Sequence, residues 1–403
     1  MELPLKLMMP DRAWREVICG LPTPSHLSHF GRPQMDLFQI MHVKSPALSP
    51  DQIADRLSAF LLRLRQQKAR AKAAADPASP QHHDEGFFGQ EDEDDPELSW
   101  RDGRRIQRRA KSLYDRQLAH SGLAHLKRED RDRLKPLEPG VRLARIPHEH
   151  RADEWAAALH AEMPWMAPAT DLAWRAMRRS ARSGDRAFRL PPMILDGPPG
   201  IGKTHWAARL GQLIGTESTV VDATGEAASF SVVGCQRGWS NAQPGRLLEL
   251  VLAKRVGNPV MVIDELDKVG TPTSNRGVAF SLAEALLPLL EPATAAVWTC
   301  PFYRLRFDMS VVSWVLLTND VSRLPAPLLS RCSVIRLHEV GLEDLLGFAE
   351  RQGVAAGLSE ISIAAILEAL IRSVAKGGAR PSLRTVLRML LLAADLEARP
   401  RAM

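Results

Sequence analysis

Four cysteines, Cys19, Cys235, Cys300 and Cys332, are spread over 403 residues with no C-x-x-C pair. That scarcity excludes a disulfide framework and a cysteine-built zinc site, and it points to reduced, mostly buried thiols of a cytosolic protein. No apolar run approaches the length needed to span a bilayer, and nothing after Met1 joins a basic start to an apolar stretch. The expectation is a soluble cytoplasmic chain with no membrane partner and no secretion through a signal peptide. Neither sign of charge is in large excess: 53 Lys and Arg stand against 47 Asp and Glu, a net charge of +6. A bias that small permits nucleic-acid contact without arguing for it. No internal repeat is visible.

What is present begins with "LDGPPGIGKTHW", Leu195 to Trp206. A short apolar run leads into glycines and prolines and then into a helical pattern, the strand–loop–helix setting of a phosphate-binding loop. Gly197, Gly202, Lys203 and Thr204 hold the G-x-x-x-x-G-K-T spacing, with Pro198, Pro199, Gly200 and Ile201 between them. Few side chains let backbone N–H groups converge on phosphate oxygens. Lys203 supplies a cation for the terminal phosphates and the Thr204 hydroxyl a ligand for Mg²⁺. ATP and Mg²⁺ are therefore the expected cofactors.

Downstream, "VMVIDELDK" (Val260 to Lys268) ends an apolar strand in paired acids, about sixty residues after Lys203. Asp264 is positioned to hold the metal through water and Glu265 to polarise the attacking water. "VLLTND" (Val315 to Asp320) is a second such strand, with Asn319 at its tip to fix that water, although an asparagine there is also an ordinary turn former. Arg331 precedes the last strand, and "GGARPSL" puts Arg380 at the start of a later helix, its guanidinium free to contact phosphate.

Apolar strands at Thr219–Val221, Val260–Ile263, Val311–Leu317 and Ser333–Leu337 alternate with helical stretches, which predicts a parallel sheet covered on both faces. From Leu342 only helical periodicity remains. The fold class is therefore α/β, a P-loop parallel sheet sandwiched by helices and followed by a small all-α lid, after a partly disordered, mainly helical N-terminal region. Boundaries fall at 1–72 (partly helical), 73–100 (acidic linker, with a run at Glu91 to Asp95), 101–150 (basic helical segment), 151–338 (nucleotide-binding domain) and 339–403 (lid). Ser49-Pro50-Asp51-Gln52 reads as a capping box with proline at the first helical position. Arg101, Arg104, Arg105, Arg108, Arg109 and Lys111 form a solvated helix face, with a phosphate-binding patch or a cation partner for the acidic run as the other readings. Trp155, Trp165 and Trp174 read as core or nucleotide-edge packing, and the His82-His83 pair lacks the further ligands a metal needs.

These motifs, in this order, resemble an AAA+ ATPase, and within that superfamily the ATPase module of the Lon proteases. The resemblance rests on "GPPGIGKT", "NPVMVIDELDK", "FDMSVVSWVLLTND", "LPAPLLSRCSVIRL" and "GGAR", over about residues 165–395. It implies Lys203 and Thr204 on nucleotide and Mg²⁺, Asp264 and Glu265 as metal and water-activating acids, Asn319 as sensor, Arg331 as a finger acting in trans and Arg380 as the lid sensor. It further implies a homo-oligomeric ring, a hexamer, that hydrolyses ATP to remodel or unfold a protein partner. "GCQRGWSNAQPGRLLE" aligns with the Lon pore loop, placing Trp239 where those proteins carry tyrosine, while Ser240 replaces the apolar neighbour and an ordinary packed indole stays the competing reading. The Lon Ser-Lys peptidase domain follows the lid; with the last residue at Met403, no peptidase activity is expected in this chain. A DNA-associated motor or loader, suggested by Ser330-Arg331-Cys332 and the basic segment, and an ATP-dependent assembly switch are the alternatives.

Overall fold

A computed structural model describes residues 37–75, 98–224, 228–237, 242–268, 281–375 and 381–398. The chain divides into two compact units. The first, within residues 43–135, is built on α1 (Pro50–Ala75), α2 (Trp100–His120) and α3 (Arg128–Leu134). The capping box read from the sequence is formed: Ser49 N–H donates to Gln52 Oε1 (2.9 Å) and Gln52 N–H to Ser49 Oγ (3.2 Å). A second one, between Ser99 and Asp102, opens α2. Ile53, Ala54 and Leu57 of α1 bury against Ile106 and Ala110 of α2, and Arg65 pairs with Asp102 at 2.7 Å beside that seam.

The second unit holds residues 35–42 and everything from Pro136. It opens with α4 (Glu149–Glu162) and α5 (Ala167–Ser183), which pack on each other, and then the chain enters β1 (Met193–Asp196). α6 (Lys203–Ile214), β2 (Ser218–Asp222), α7 (Ala228–Val233), α8 (Arg246–Lys254) and β3 (Val260–Asp264) follow. Next come α9 (Leu282–Leu290), α10 (Pro292–Ala295), a small antiparallel pair β4 (Trp298–Thr299) and β5 (Arg306–Phe307), then β6 (Ser313–Thr318), α11 (Ala326–Leu329) and β7 (Ser333–Arg336). The five long strands form one sheet in the order β2-β3-β6-β1-β7, every neighbouring pair parallel. All six residues of β6 are buried, because it lies between β3 and β1 with helices over both faces. Met193, Leu195, Val260, Val262, Val315 and Leu317 face one helical layer; Ile194, Met261, Ile263 and Leu316, one residue out of phase, face the other.

Polar residues brace this core where backbone groups would otherwise go unpaired. Asn258, 1 % exposed, accepts from Ala144 N–H (2.8 Å) and donates to the carbonyls of Ala144 (2.7 Å) and Phe188 (2.8 Å), tying the segment before β1 to the start of β3. The C-terminal lid is α12 (Leu342–Ala355), α13 (Glu360–Ala375) and α14 (Leu383–Glu397). The lid and the sheet share one core, in which Leu345, Ile366, Leu383 and Val386 join Ile201 and Leu210. Among the described residues no helix is long and apolar enough to cross a membrane. Cys235 and Cys300 are buried and Cys332 is half-buried, and none of the three is in a disulfide; Cys19, His82-His83 and the acidic run at 91–95 lie outside the described residues.

Candidate functional site

Parallel strands deliver their C-terminal ends to one edge of a sheet, and the register aligns those ends here. Asp196 of β1 lies opposite Thr318 of β6, and Asp264 of β3 opposite Asp222 of β2. The loop from Gly197 to Gly202 leaves β1 at this edge and enters α6 at Lys203. Gly200 (φ +78°) and Gly202 (φ +89°) take the left-handed conformation that glycine alone adopts without strain. Gly197 is glycine for a different reason: a Cβ there would stand 2.7 Å from the Leu337 carbonyl oxygen. The lid backs this loop, since Cβ atoms at Gly200 and Gly202 would meet Ser382 (3.3 Å) and Leu383 (3.4 Å) at the start of α14. Trp165 completes the support: its indole N–H donates to the Ile201 carbonyl (2.8 Å), and its ring meets Phe348 of α12 edge-on.

Lys203 is buried, and its ammonium donates to the carbonyls of Gly197, Pro198 (3.4 Å) and Thr318 (2.8 Å) and to Asn319 Oδ1 (2.9 Å). Burial pushes its pKa below the ordinary lysine value, and the carboxylates of Asp264, Asp196, Asp267 and Glu265 pull it back up. Thr204 Oγ1 donates to Asp264 Oδ2 at 2.9 Å. A hydroxyl and a carboxylate converging at that distance form the kind of hard oxygen pair that suits Mg²⁺. Glu265 sits just past β3 at φ +55°, a conformation costing a non-glycine residue about 1 kcal/mol. Its N–H is held by Asp264 Oδ1 (2.8 Å) and its carboxylate by Lys268 Nζ (2.7 Å), a bond that raises the Lys268 pKa.

Five of the residues singled out from the sequence, Lys203, Thr204, Asp264, Glu265 and Asn319, thus gather at the ends of three adjacent strands. Arg331 lies after α11, ion-paired with Glu291 (2.6 Å), its Nη1 donating to the Pro327 carbonyl (2.9 Å). Arg380 and Trp239 lie outside the described residues. Gly234 bridges to Pro244, and a Cβ on Gly245 would fall 2.1 Å from the Val232 carbonyl oxygen.

A family model, "ATPase family associated with various cellular activities (AAA)", matches residues 193–340, the segment that carries this whole strand-end cluster. Those residues are an AAA ATPase domain. The domain is related to the corresponding part of Lon proteases. A mitochondrial Lon protease homolog of Phaeodactylum tricornutum is 31% identical over 47% of this chain and 21% of its own length. A peroxisomal Lon protease homolog 2 of Spinacia oleracea is 34% identical over 37% of this chain and 16% of its own, and the Lon protease of Magnetococcus marinus 32% identical over 36% and 17%. The matched segment spans about a fifth of the length of these relatives. A cryo-EM reconstruction of closed-state Hsp104 with ATPyS and FITC casein superposes on 60% of this chain and 42% of its own at TM-score 0.41 and 14% identity, too loose to add to the fold assignment.

Two members of the AAA domain's cluster were not singled out from the sequence. Asp196 Oδ1 accepts from Val321 N–H (3.1 Å) and Asp267 Oδ1 from Asn319 N–H (3.2 Å), so both clamp the loop after β6. A signal existed for each: Asp196 closes an apolar strand as Asp264 does, and Asp267 stands in the same acidic segment.

Proposed function

We infer that the chain hydrolyses ATP, and the observation carrying this is the hydrogen-bonded cluster that links the phosphate-loop residues Lys203 and Thr204 to Asn319 and Asp264 on the neighbouring strands. Binding ATP would exchange the Lys203 bonds to the Gly197 and Pro198 carbonyls for phosphate oxygens, while the loop N–H groups meet the same phosphates. Thr204 and Asp264 would hold Mg²⁺, which when bound draws charge from the phosphate oxygens. Asn319 orients a water in line with the terminal phosphorus, and Glu265 takes its proton as the new P–O bond forms and the bond to the ADP oxygen breaks. Glu265 must leave Lys268 to do so, which makes the pairing seen here a resting arrangement. Arg331 would supply positive charge to a neighbouring subunit's phosphate and Arg380 to its own.

Likeness to Lon proteases supports the further reading that the chain assembles into a homo-oligomeric ring, a hexamer, that couples hydrolysis to remodelling a protein partner, with Trp239 as the gripping side chain. The test is ATP turnover by wild type and Glu265→Gln, with mass photometry in both nucleotide states. Wild-type turnover, together with a Glu265→Gln protein that holds ATP in a ring without hydrolysing it, is the expected outcome. A chain that assembles with ATP but never hydrolyses it would overturn the motor and leave a switch.

A further inference from the structure

α2 carries a face that the ATPase reading does not use. On this helix Ile106 and Ala110 turn into the seam with α1, and the opposite side presents Trp100, Arg104, Gln107, Arg108 and Lys111 to solvent. Their spacing of four, three, one and three residues keeps them within one stripe of a 3.6-residue repeat. Trp100 is 70 % exposed, a costly position for a large indole, and the Arg104 guanidinium lies 4.8 Å from its ring centre. Gly103, where an added Cβ would meet nothing within 4 Å, leaves the ring's flank open, so Trp100, Gly103, Arg104, Gln107 and Arg108 line a shallow groove.

The electrostatics of this face are one-sided. Between Trp100 and Tyr114 there are six cations, Arg101, Arg104, Arg105, Arg108, Arg109 and Lys111, and one carboxylate, Asp102. Asp102 is spent on the helix cap and on Arg65. Arg105, Arg108 and Lys111 form no ion pair among the described residues, and the stripe ends at Asp115. From Trp100 to Lys111 the helix rises about 16 Å, the axial length of about five stacked nucleotides.

We propose that this face of α2 binds single-stranded nucleic acid, with Arg104, Arg108 and Lys111 on the phosphates and Trp100 stacked under an unpaired base. A purely acidic protein segment would satisfy the cations and leave the exposed part of the ring, away from Arg104, uncovered. A duplex buries its bases' faces, so an exposed indole beside a basic stripe favours the single strand.

Fluorescence anisotropy of the full chain with labelled oligo-dT tests this. Binding at or below about 10 µM in low salt is expected, with log K falling against log salt at a slope of about −2 to −3 for three to four phosphates. Arg104→Gln with Arg108→Gln should flatten the slope by about 1.4, whereas Trp100→Ala should weaken binding about tenfold and leave the slope unchanged. Circular dichroism checks that each variant keeps its helices. No oligo-dT binding by wild type overturns the proposal. So does binding that ignores all three substitutions, and so does an undiminished affinity in Trp100→Ala, which marks a charge-only surface that heparin or the chain's own Glu91–Asp95 run would occupy equally well.

Discussion

Lys203 is an ion kept in a half-desolvated place by a ring of oxygens, three of them backbone carbonyls and one from Asn319. That arrangement costs little only while every proton of the ammonium has an acceptor, and phosphate oxygens are the acceptors that improve on carbonyls. ATP at about a hundred times its Kd should therefore raise the stability of the protein by about 2.7 kcal/mol, and Lys203→Ala should lose most of that shift in a thermal melt. Cys332 gives a second residue-scale expectation. Burial pushes its thiol up to about 12, while Arg331 pulls the other way. Because the folded value stands above the ordinary 9.0, the folded protein keeps its proton through the alkaline range; the stability this contributes is complete below about pH 9 and drains away as pH climbs toward 12. Iodoacetamide at pH 8.5 should leave Cys332 unmodified in the folded protein and alkylate it in urea, as read by mass spectrometry.

Among the elements, β3 illustrates how one strand serves both core and site. Val260 to Ile263 are buried on both faces, and the next two residues turn polar at the sheet edge. Two residues ahead of the strand stands Asn258, whose side chain satisfies two carbonyls and one N–H from segments far away in the sequence. Removing that amide leaves buried backbone groups without partners, so Asn258→Ala should lower the unfolding free energy by about 3 kcal/mol in urea titration. The lid helices meet at similarly close range: a Cβ on Gly353 would stand 2.8 Å from the Ile363 side chain, so α12 and α13 pack closely through this glycine.

For the whole molecule, the open question is whether one chain completes its own site. Arg331 is tied to Glu291 on its own chain. An arginine acting in trans predicts complementation. Arg331→Ala and Lys203→Ala should each lose turnover alone, and mixed subunits should recover a measurable fraction, because an intact phosphate loop from one then meets an intact arginine from the other. Absence of recovery in a mixed assembly that mass photometry shows to have formed would assign Arg331 to its own chain.

Residue types at fixed spacing made the phosphate loop, the acids after β3 and Asn319 legible without coordinates, because glycine-rich turns and strand-end carboxylates are local solutions to holding phosphate. The strand and lid periodicities were equally local and gave the fold class. Four features depended on distance in space rather than in sequence: the strand order, the shared core of lid and sheet, the bracing amide of Asn258, and the clamps of Asp196 and Asp267. Asn258 shows why: its amide pairs with Ala144, 114 residues away, and with Phe188, 70 residues away, and no local pattern marks such partners. By itself the sequence determined which chemistry was available; the sheet, by aligning the ends of β1, β3 and β6, decided which side chains stand close enough to perform it.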